Sequence, residues 1–511
     1  MVMEDIGQLV AEGEDLLGQR RFPEAASIFE RATGIDPTSY RAYRGLGIAM
    51  SWLNSHCFRA HEVFDEAARL NSGQLDGLAL EAYCLSLAYS GQAERSLAIM
   101  LELKRTTPDF HTPEMLPTEA WKAGDLTVCH AAAADLASEP TSWDAHRDGL
   151  DCPARLEPSN VLQTVLGERA NRLDMICKAR ILGWPVPKRL LFIAAPNVVN
   201  RPFLDYWRDH VDIVDDPGFD PSQCKIFNTF VLRAPDGRVY DRNVAYAIVS
   251  REWKRRGLPP LLGLSDGDRL RGTAGLREMG VPEGAWYVTL HVRSPSFNDQ
   301  NTDNHNAMRN ADIATYFPAI RKVTEAGGWV LRMGDADMPP LPPMEGVIDY
   351  AVGPFKSPWM DIFLCASSAF FMATQSGLVC VAQVFGVPSV VTNVLPTAIY
   401  TYGDDDLLIP RKLVSTRDGR QLSFREAFRP PYVNKEVKHV FDTLGVTALA
   451  HTAEEISDVT GEMIDRHFGR AVYSATDESL QRRFRRAVDY HGFGQMGRVG
   501  RAFLRNSLHS L

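Results

Sequence analysis

Several classes of protein are excluded by what this 511-residue chain lacks. No apolar stretch runs uninterrupted for the roughly 20 positions that a spanning helix needs. The opening Met1-Val-Met-Glu-Asp5 has neither the basic start nor the apolar run of a secretory leader. The eight cysteines include no C-x-x-C pair and sit mostly in apolar runs, where a thiol packs as a small hydrophobe. No zinc spacing joins them to histidine, and lone histidines such as His130 and His210 are expected to be surface or packing residues. There is no basic excess: 55 Lys+Arg against 64 Asp+Glu give a net charge of -9, which argues against a nucleic-acid-coating surface. Disulfide scaffolds, disorder and membrane spans are therefore set aside. The expectation is a chain of the reducing cytoplasm, about three domains long.

What is present begins with a repeat. Pro37, Ser72 and Pro108 recur at close to 34 residues, the period of tetratricopeptide repeats. The first repeat offers Leu9, Gly13, Leu16, Ala25, Phe29 and Ala32, and the second Leu46, Gly47, Ala60, Phe64 and Ala67. A looser third has Tyr83, Leu87 and Met100. Small residues let paired helices approach, and aromatic ones fill the gap between pairs. Residues 1–110 are read as this helical array, with a generic bundle as the alternative, and 111–153 as a linker or irregular cap.

From Arg189 short apolar runs alternate with helical patterns. RLLFIAAP, PFLDYWRDHV and VDIV follow in βαβ order, APDG turns a hairpin, and AYAIVSREWKRRG is a helix stopped by Gly257. A second set starts near Pro282, with strands expected at Tyr287–Val292, Trp329–Met333, Val347–Val352, Ala369–Thr374 and Pro388–Asn393. Apolar strands joined by helices indicate a parallel sheet covered on both faces. Residues 154–281 and 282–475 are read as two Rossmann-like domains facing a cleft.

Polar residues gather where the second set of strands ends. His291 and Arg293 are two apart and share a face, Arg332 to Asp335 close the next strand, and Thr374-Gln375-Ser376-Gly377 and Thr392-Asn393 close later ones. The carboxyl ends of parallel strands share one edge, where ligands bind. Two guanidiniums beside a helix N-terminus suit a diphosphate, and Gly377 would allow a ligand close to the backbone. The competing reading has Arg293 and Arg332 pairing with acids such as Asp335 or Asp361. Asp335 is read as supporting Arg332. Other short motifs are weak. Gly492-Phe-Gly494-Gln-Met-Gly497 follows an Arg-rich helix instead of a strand, the D-x-D matches at Asp335 and Asp404 are common by chance, and His146-Arg-Asp148 lacks its kinase partners.

AWYVTLHVRSPSF, RNADIATYFPAI, GGWVLRMGDADMPPLP, VIDYA, SPWMDIFLCASSAFFMATQSGL and FGVPSVVTN together resemble a bacterial glycosyltransferase family and, more distantly, protein O-fucosyltransferases. The resemblance spans about Tyr240 to Gly469. It implies a GT-B fold behind the tetratricopeptide-like array, and transfer of a sugar from a nucleotide-diphosphate donor to a protein or glycan acceptor, without cofactor or metal. It carries donor-phosphate contacts over to His291 and Arg293, and to Ser376 and Gly377. Arg332 joins His291 and Arg293 as the catalytic group, His291 as either a donor contact or a general base, with Asp335, Thr374, Gln375 and Asn393 around the donor. On the acceptor side only Asn197 and Asn200, after FIAAP, can be nominated.

Two other functions compete: a GT-B-like nucleotide-sugar epimerase, and a non-enzymatic repeat scaffold with a degenerate α/β part. The array is expected to recruit the acceptor or to hold copies of the chain together as a homo-oligomer. The last segment, 476–511, has Leu480, Phe484, Ala487 and Val488 on one helical face and arginines on the other. It is expected to cross back onto the N-terminal domain, the alternative being a peripheral hold on the inner membrane.

Overall fold

A computed structural model describes residues 5–19, 21–53, 59–90, 92–106, 116–123, 125–138, 142–156, 160–196, 198–294, 307–396, 403–429, 431–433, 435, 438–488 and 497–510. The chain divides into two compact units. One is built on Met1–Cys129 with Asp299–Met308 and Lys435–Val446, and the other on His130–Asn298, Arg309–Asn434 and Thr447–Leu511.

In the first unit the helices Ile6–Gly18, Phe22–Ile35, Tyr40–Ser51, Ala60–Leu70, Gly77–Tyr89, Ala93–Thr106 and Leu116–Ala123 follow in series, each packed on the next. Their starts are written locally. The Asp5 side chain accepts from the Gly7 N–H, and the Ser39 hydroxyl from the Ala42 N–H. Phe29 and Phe64 are fully buried. Gly13 and Gly45 lie against the Phe29 ring and Gly47 against Phe64; a methyl at Gly13 or Gly47 would stand 2.7 Å from ring carbon. The glycines are thus the space into which the rings fit. Removing either ring should cost about 3–5 kcal/mol.

The second unit holds two parallel sheets. In the first, β1 (Ala154–Leu156), β2 (Leu190–Ile193), β3 (Asp212–Val214) and β4 (Lys225–Phe227) lie in the order β3-β2-β1-β4. A hairpin of β5 (Val231–Arg233) and β6 (Val239–Asp241) follows, turned at Gly237 with φ 85°. β2, β3, the hairpin and the helix Arg242–Arg255 lie where the sequence patterns place them. β1 and β4, three residues each, carry no such pattern.

The second sheet comprises β7 (Tyr287–His291), β8 (Trp329–Arg332), β9 (Val347–Ile348), β10 (Phe370–Thr374), β11 (Ser389–Val394), β12 (Leu407–Pro410) and the edge strand Arg498–Val499. From β9 the order runs β9-β8-β7-β10-β11-β12-edge, and every pair is parallel. Every residue of β7, β10, β11 and β12 is buried, as a sheet covered on both faces requires. Strand order grows outward in both directions from β7 and β10. The gap between their carboxyl ends is therefore the topological switch point, where doubly wound sheets take ligands.

Two expectations are corrected here. VIDYAV is a strand only at Val347–Ile348 and becomes a 3-10 turn at Tyr350–Val352. Asp349 lies between the two, its carboxylate held by Arg332 and the Leu341 N–H. The C-terminal helix, Ala475–Val488, uses its apolar stripe within the C-terminal half. Phe484 meets Phe424 and Phe428 edge-on at 5.1 and 6.0 Å, and the chain then adds Arg498–Val499 to the second sheet beside β12. Two aromatic rings from one region satisfy the stripe, which leaves no need to cross back. Among the described residues no helix is long and apolar enough to cross a membrane.

Candidate active site

β7 ends in His291 and β10 in Thr374, with His291 in register opposite Ala373. Just beyond, the Arg293 N–H donates to Thr374 Oγ1 at 3.1 Å, and the Ala311 N–H returns to the Arg293 carbonyl at 3.1 Å. Arg332, ending β8, is paired in register with Leu290. His291, Arg293 and Arg332 are 9%, 7% and 3% exposed, so three nitrogen-rich side chains are buried at one sheet edge.

Their electrostatics differ. Burial, followed by the positive charges of Arg293, Arg332 and Lys356, pulls the His291 imidazole from 6.5 down to about 3. It is neutral at physiological pH, and its Nδ1 has no partner among the described residues. Arg332 pairs with Asp349 through Nη1 at 2.9 Å and reaches the Pro339 carbonyl through Nη2 at 3.3 Å. This overturns the assignment of Asp335 as its support. Burial raises the Asp335 carboxyl, against the pull of Lys356. Lys356, which the sequence patterns did not single out, also reaches Asp361 Oδ1 at 3.4 Å, and that same oxygen accepts from the Tyr350 hydroxyl at 2.7 Å. One signal was available: Lys356 directly precedes the SPWMD string.

The loop after β10 is partly satisfied. Gln375 Oε1 accepts from the Leu395 N–H at 3.0 Å, whereas Gln375 Nε2 and Ser376 Oγ are buried without partners among the described residues. Ser376 stands at the N-cap of the helix Gly377–Val384 yet makes no side-chain cap bond. A buried cap hydroxyl, a buried amide and a neutral imidazole, all with hydrogen bonds unmet among the described residues, therefore lie where β7 ends and just after β10.

Three nominated residues are placed differently from expectation. Gly377 faces protein instead of a ligand: its added methyl would stand 3.0 Å from the Gly167 nitrogen, in the helix Leu166–Ile181. The two glycines let helices of opposite halves touch at their N-terminal ends. Asn393, at φ 55°, is bonded throughout. Its N–H donates to His451 Nδ1 at 2.9 Å, its Oδ1 accepts from the His451 N–H at 3.0 Å, and its Nδ2 donates to the Tyr316 hydroxyl at 3.2 Å. It locks β11 in place. Asn200, also left-handed at φ 47°, caps the helix Arg201–Asp205 and donates through Nδ2 to the Pro358 carbonyl at 2.9 Å, tying the halves together. Asn197 lies outside the described residues.

The first half brings its own charges to the Gly167 contact. Glu168 accepts from Arg172 Nε at 3.2 Å and lies 3.7 Å from Arg242 Nη1. Burial works to raise its carboxyl, but Arg242, Arg172 and Arg309 outweigh that and hold it below its ordinary value. Among the described residues no group of three or more His, Cys, Asp or Glu side chains could hold a metal ion.

No family model matches the chain, and no curated protein matches it. Similar solved structures include the iron-containing dodecameric glycosyltransferase TibC of enterotoxigenic E. coli, at 14% identity over 47% of this chain and 58% of that one, TM-score 0.28. An O-GlcNAc transferase of Thermobaculum terrenum is matched at 11% identity over 99% and 96% of the two chains, TM-score 0.30. A family 9 glycosyl transferase of Veillonella parvula is matched at 12% identity over 51% and 86%, TM-score 0.26. This chain thus spans little more than half of the TibC chain. These neighbours are glycosyltransferases by name, but superpositions this loose assign neither fold nor activity to the present chain.

Proposed function

We propose that the second unit is a glycosyltransferase of GT-B type that binds a nucleotide-diphosphate sugar at the switch point of its seven-stranded sheet and transfers the sugar to a protein or glycan acceptor. One observation carries the reading. Arg293, neutral His291 and the uncapped start of the helix Gly377–Val384 converge where β7 and β10 end, with buried polar atoms left unmet.

In this reading the diphosphate lies between Arg293 and the Ser376 end of the helix. The guanidinium and the helix N–H groups stabilise the negative charge that grows on the leaving oxygen as the glycosidic bond breaks. Arg332, fixed by Asp349, adds a charge that need not reorganise. His291 serves as a neutral hydrogen-bonding contact: an imidazole pulled to about 3 is a poor acceptor for a hydroxyl proton near pH 7. The chemistry calls for no metal or cofactor, because guanidiniums supply the positive charge. The helical array, as a tetratricopeptide-like surface, recruits the acceptor or joins copies of the chain.

The test is incubation with a panel of UDP-, GDP-, ADP- and dTDP-sugars, with detection of released nucleoside diphosphate and titration of each nucleoside diphosphate alone. Release from one donor, lost in Arg293→Ala, is expected. Absence of both release and binding across the panel would overturn the proposal.

A further inference from the structure

The helices Leu166–Ile181 and Gly377–Val384 touch at Gly167 and Gly377, and farther along they border a pocket of about 280 Å³. Asp174 and Lys178 line it from the first helix, and Gln383 and Val384 from the second. Tyr246 and Trp253 of the helix Arg242–Arg255 form another side, and Gly403, Asp405 and Asp406 close it ahead of β12. Pro388 and Asp406, which precede β11 and β12, place it at the amino ends of these strands. It is thus at the opposite edge of the sheet from His291 and Arg293.

The polar groups of this pocket do not balance. Asp406 is complete, accepting from the Ser389 N–H and hydroxyl at 2.7 Å each, the Gly403 N–H at 2.6 Å and Gln383 Nε2 at 3.1 Å. Asp405 is exposed and takes Lys254 Nζ at 3.0 Å. Asp174, only 2% exposed, takes Lys178 Nζ on Oδ2 at 2.7 Å, while its Oδ1 has no partner among the described residues. Within the lining three carboxylates thus face two ammoniums, Asp405 being reached as well by Arg466 Nη2 from outside the pocket at 3.8 Å, and the buried Asp174 Oδ1 is left without a donor among the described residues. The helix Gly377–Val384 also ends here, adding the partial negative charge of its C-terminus. The aromatic side chains of Tyr246 and Trp253 favour a cation as well. Lys178 Nζ already lies 5.4 Å from the centre of the Trp253 ring. Burial raises both the Asp174 and Asp406 carboxyls, the second to about 6.

We propose that this pocket binds a small organic ammonium ion, whose N–H groups meet Asp174 Oδ1 and whose aliphatic body lies against Trp253, Val384 and Pro388. At roughly 30 Å³ per water, the space corresponds to on the order of nine waters, enough for a short aliphatic amine. The site stands independently of the transferase reading, since it shares no residue with the switch point.

The probe is 1,5-diaminopentane, compared with 1,5-pentanediol, which has the same number of non-hydrogen atoms and can donate hydrogen bonds but carries no charge. Binding to the full chain is read by calorimetry and ligand-observed NMR. The diamine is expected to bind at least about tenfold more tightly than the diol. Asp174→Asn, checked for folding by circular dichroism, should weaken the diamine by at least tenfold and leave the diol unchanged. Asp405→Asn, at an exposed position, should weaken the diamine several-fold and serves if Asp174→Asn does not fold. Equal binding of diamine and diol, no diamine binding at about 10 mM, or undiminished binding by both variants would each overturn the proposal.

Discussion

Gly167→Ala is the sharpest test of how the two halves of the α/β unit are joined. The added methyl would lie 2.7 Å from the Gly377 Cα, whereas non-bonded carbons settle at roughly 3.5–4.0 Å. The shortfall is about 1 Å against backbone, which has no rotamer to move away. Overpacking of this kind costs about 1–3 kcal/mol. Replacing a helical glycine by alanine returns only about 0.5–1 kcal/mol. The variant should therefore be destabilised by up to about 2.5 kcal/mol, unless the helices separate. Separation would move Ser376 and the helix start away from the ends of β7 and β10, so any relief should appear as weaker binding of the preferred nucleoside diphosphate. Gly34→Ala is the matched control: Gly34 is helical, and its methyl would meet nothing within 4 Å, so it should stabilise by about 0.5–1 kcal/mol. Denaturant melts followed by circular dichroism, together with nucleotide titrations, read both effects. A Gly167→Ala protein as stable as its parent, binding nucleotide equally well, would refute the view that this contact sets the geometry of the site.

Four other outcomes are expected. Arg293→Ala should cost on the order of 2–4 kcal/mol in transition-state stabilisation, read as kcat/KM for donor turnover, with the fold retained. Asp349→Ala leaves Arg332, 3% exposed, without its carboxylate and the Leu341 N–H without its acceptor; about 3–5 kcal/mol should be lost in denaturant melts. His291 and His451 are pulled below 6.5, to about 3 and about 4, mainly by burial. Their contribution to stability is present above 6.5 and is lost as pH falls toward those values, so His291→Asn should flatten part of the acid limb of a stability–pH profile. Asp406 has the opposite sign: burial raises its carboxyl to about 6, so its contribution is fully present below about 3.9 and is lost as pH rises through 6. Relative to Asp406→Asn, the parent should gain stability between pH 7 and pH 5.

Strands with long apolar runs were legible in the sequence because burial on both faces leaves a continuous signal. YVTLHV, WVLR, FFMAT and SVVTN lie within about one residue of their expected bounds. β1 and β4 were not legible. ARL and KIF are three-residue segments that pair only because β2 and the neighbouring helices hold them, and tertiary pairing of that kind leaves no periodicity. The LLIP strand, β12, is too short to separate from loop on sequence alone. The apolar stripe of the last helix was correctly seen, but a stripe does not name its partner; Phe424 and Phe428 lie some 60 residues earlier in sequence.

At the site, type and edge were legible, whereas partners were not. An H-x-R at a strand end puts both residues at the sheet edge, and strand order then places His291 opposite Ala373 and the Arg293 N–H beside Thr374. Which acid meets Arg332 depends on the path of the chain after β8, and that path brings Asp349 from the end of β9 instead of the nearer Asp335. Glycine misled for a related reason. Gly377 before a helix reads as room for a ligand, but the same missing Cβ serves equally well for a second helix, and Gly167 occupies that side. Asn393 and Asn200 show the same limit from the polar side. Each has an amide placed where a ligand could be met, and each is bonded to a distant backbone group or side chain that no local pattern predicts. The atoms left unmet, His291 Nδ1, Gln375 Nε2 and Ser376 Oγ, emerge only once those partners are known. A buried polar group without a partner costs about 1–3 kcal/mol, so under the proposed function a bound diphosphate that met these atoms would recover part of that cost.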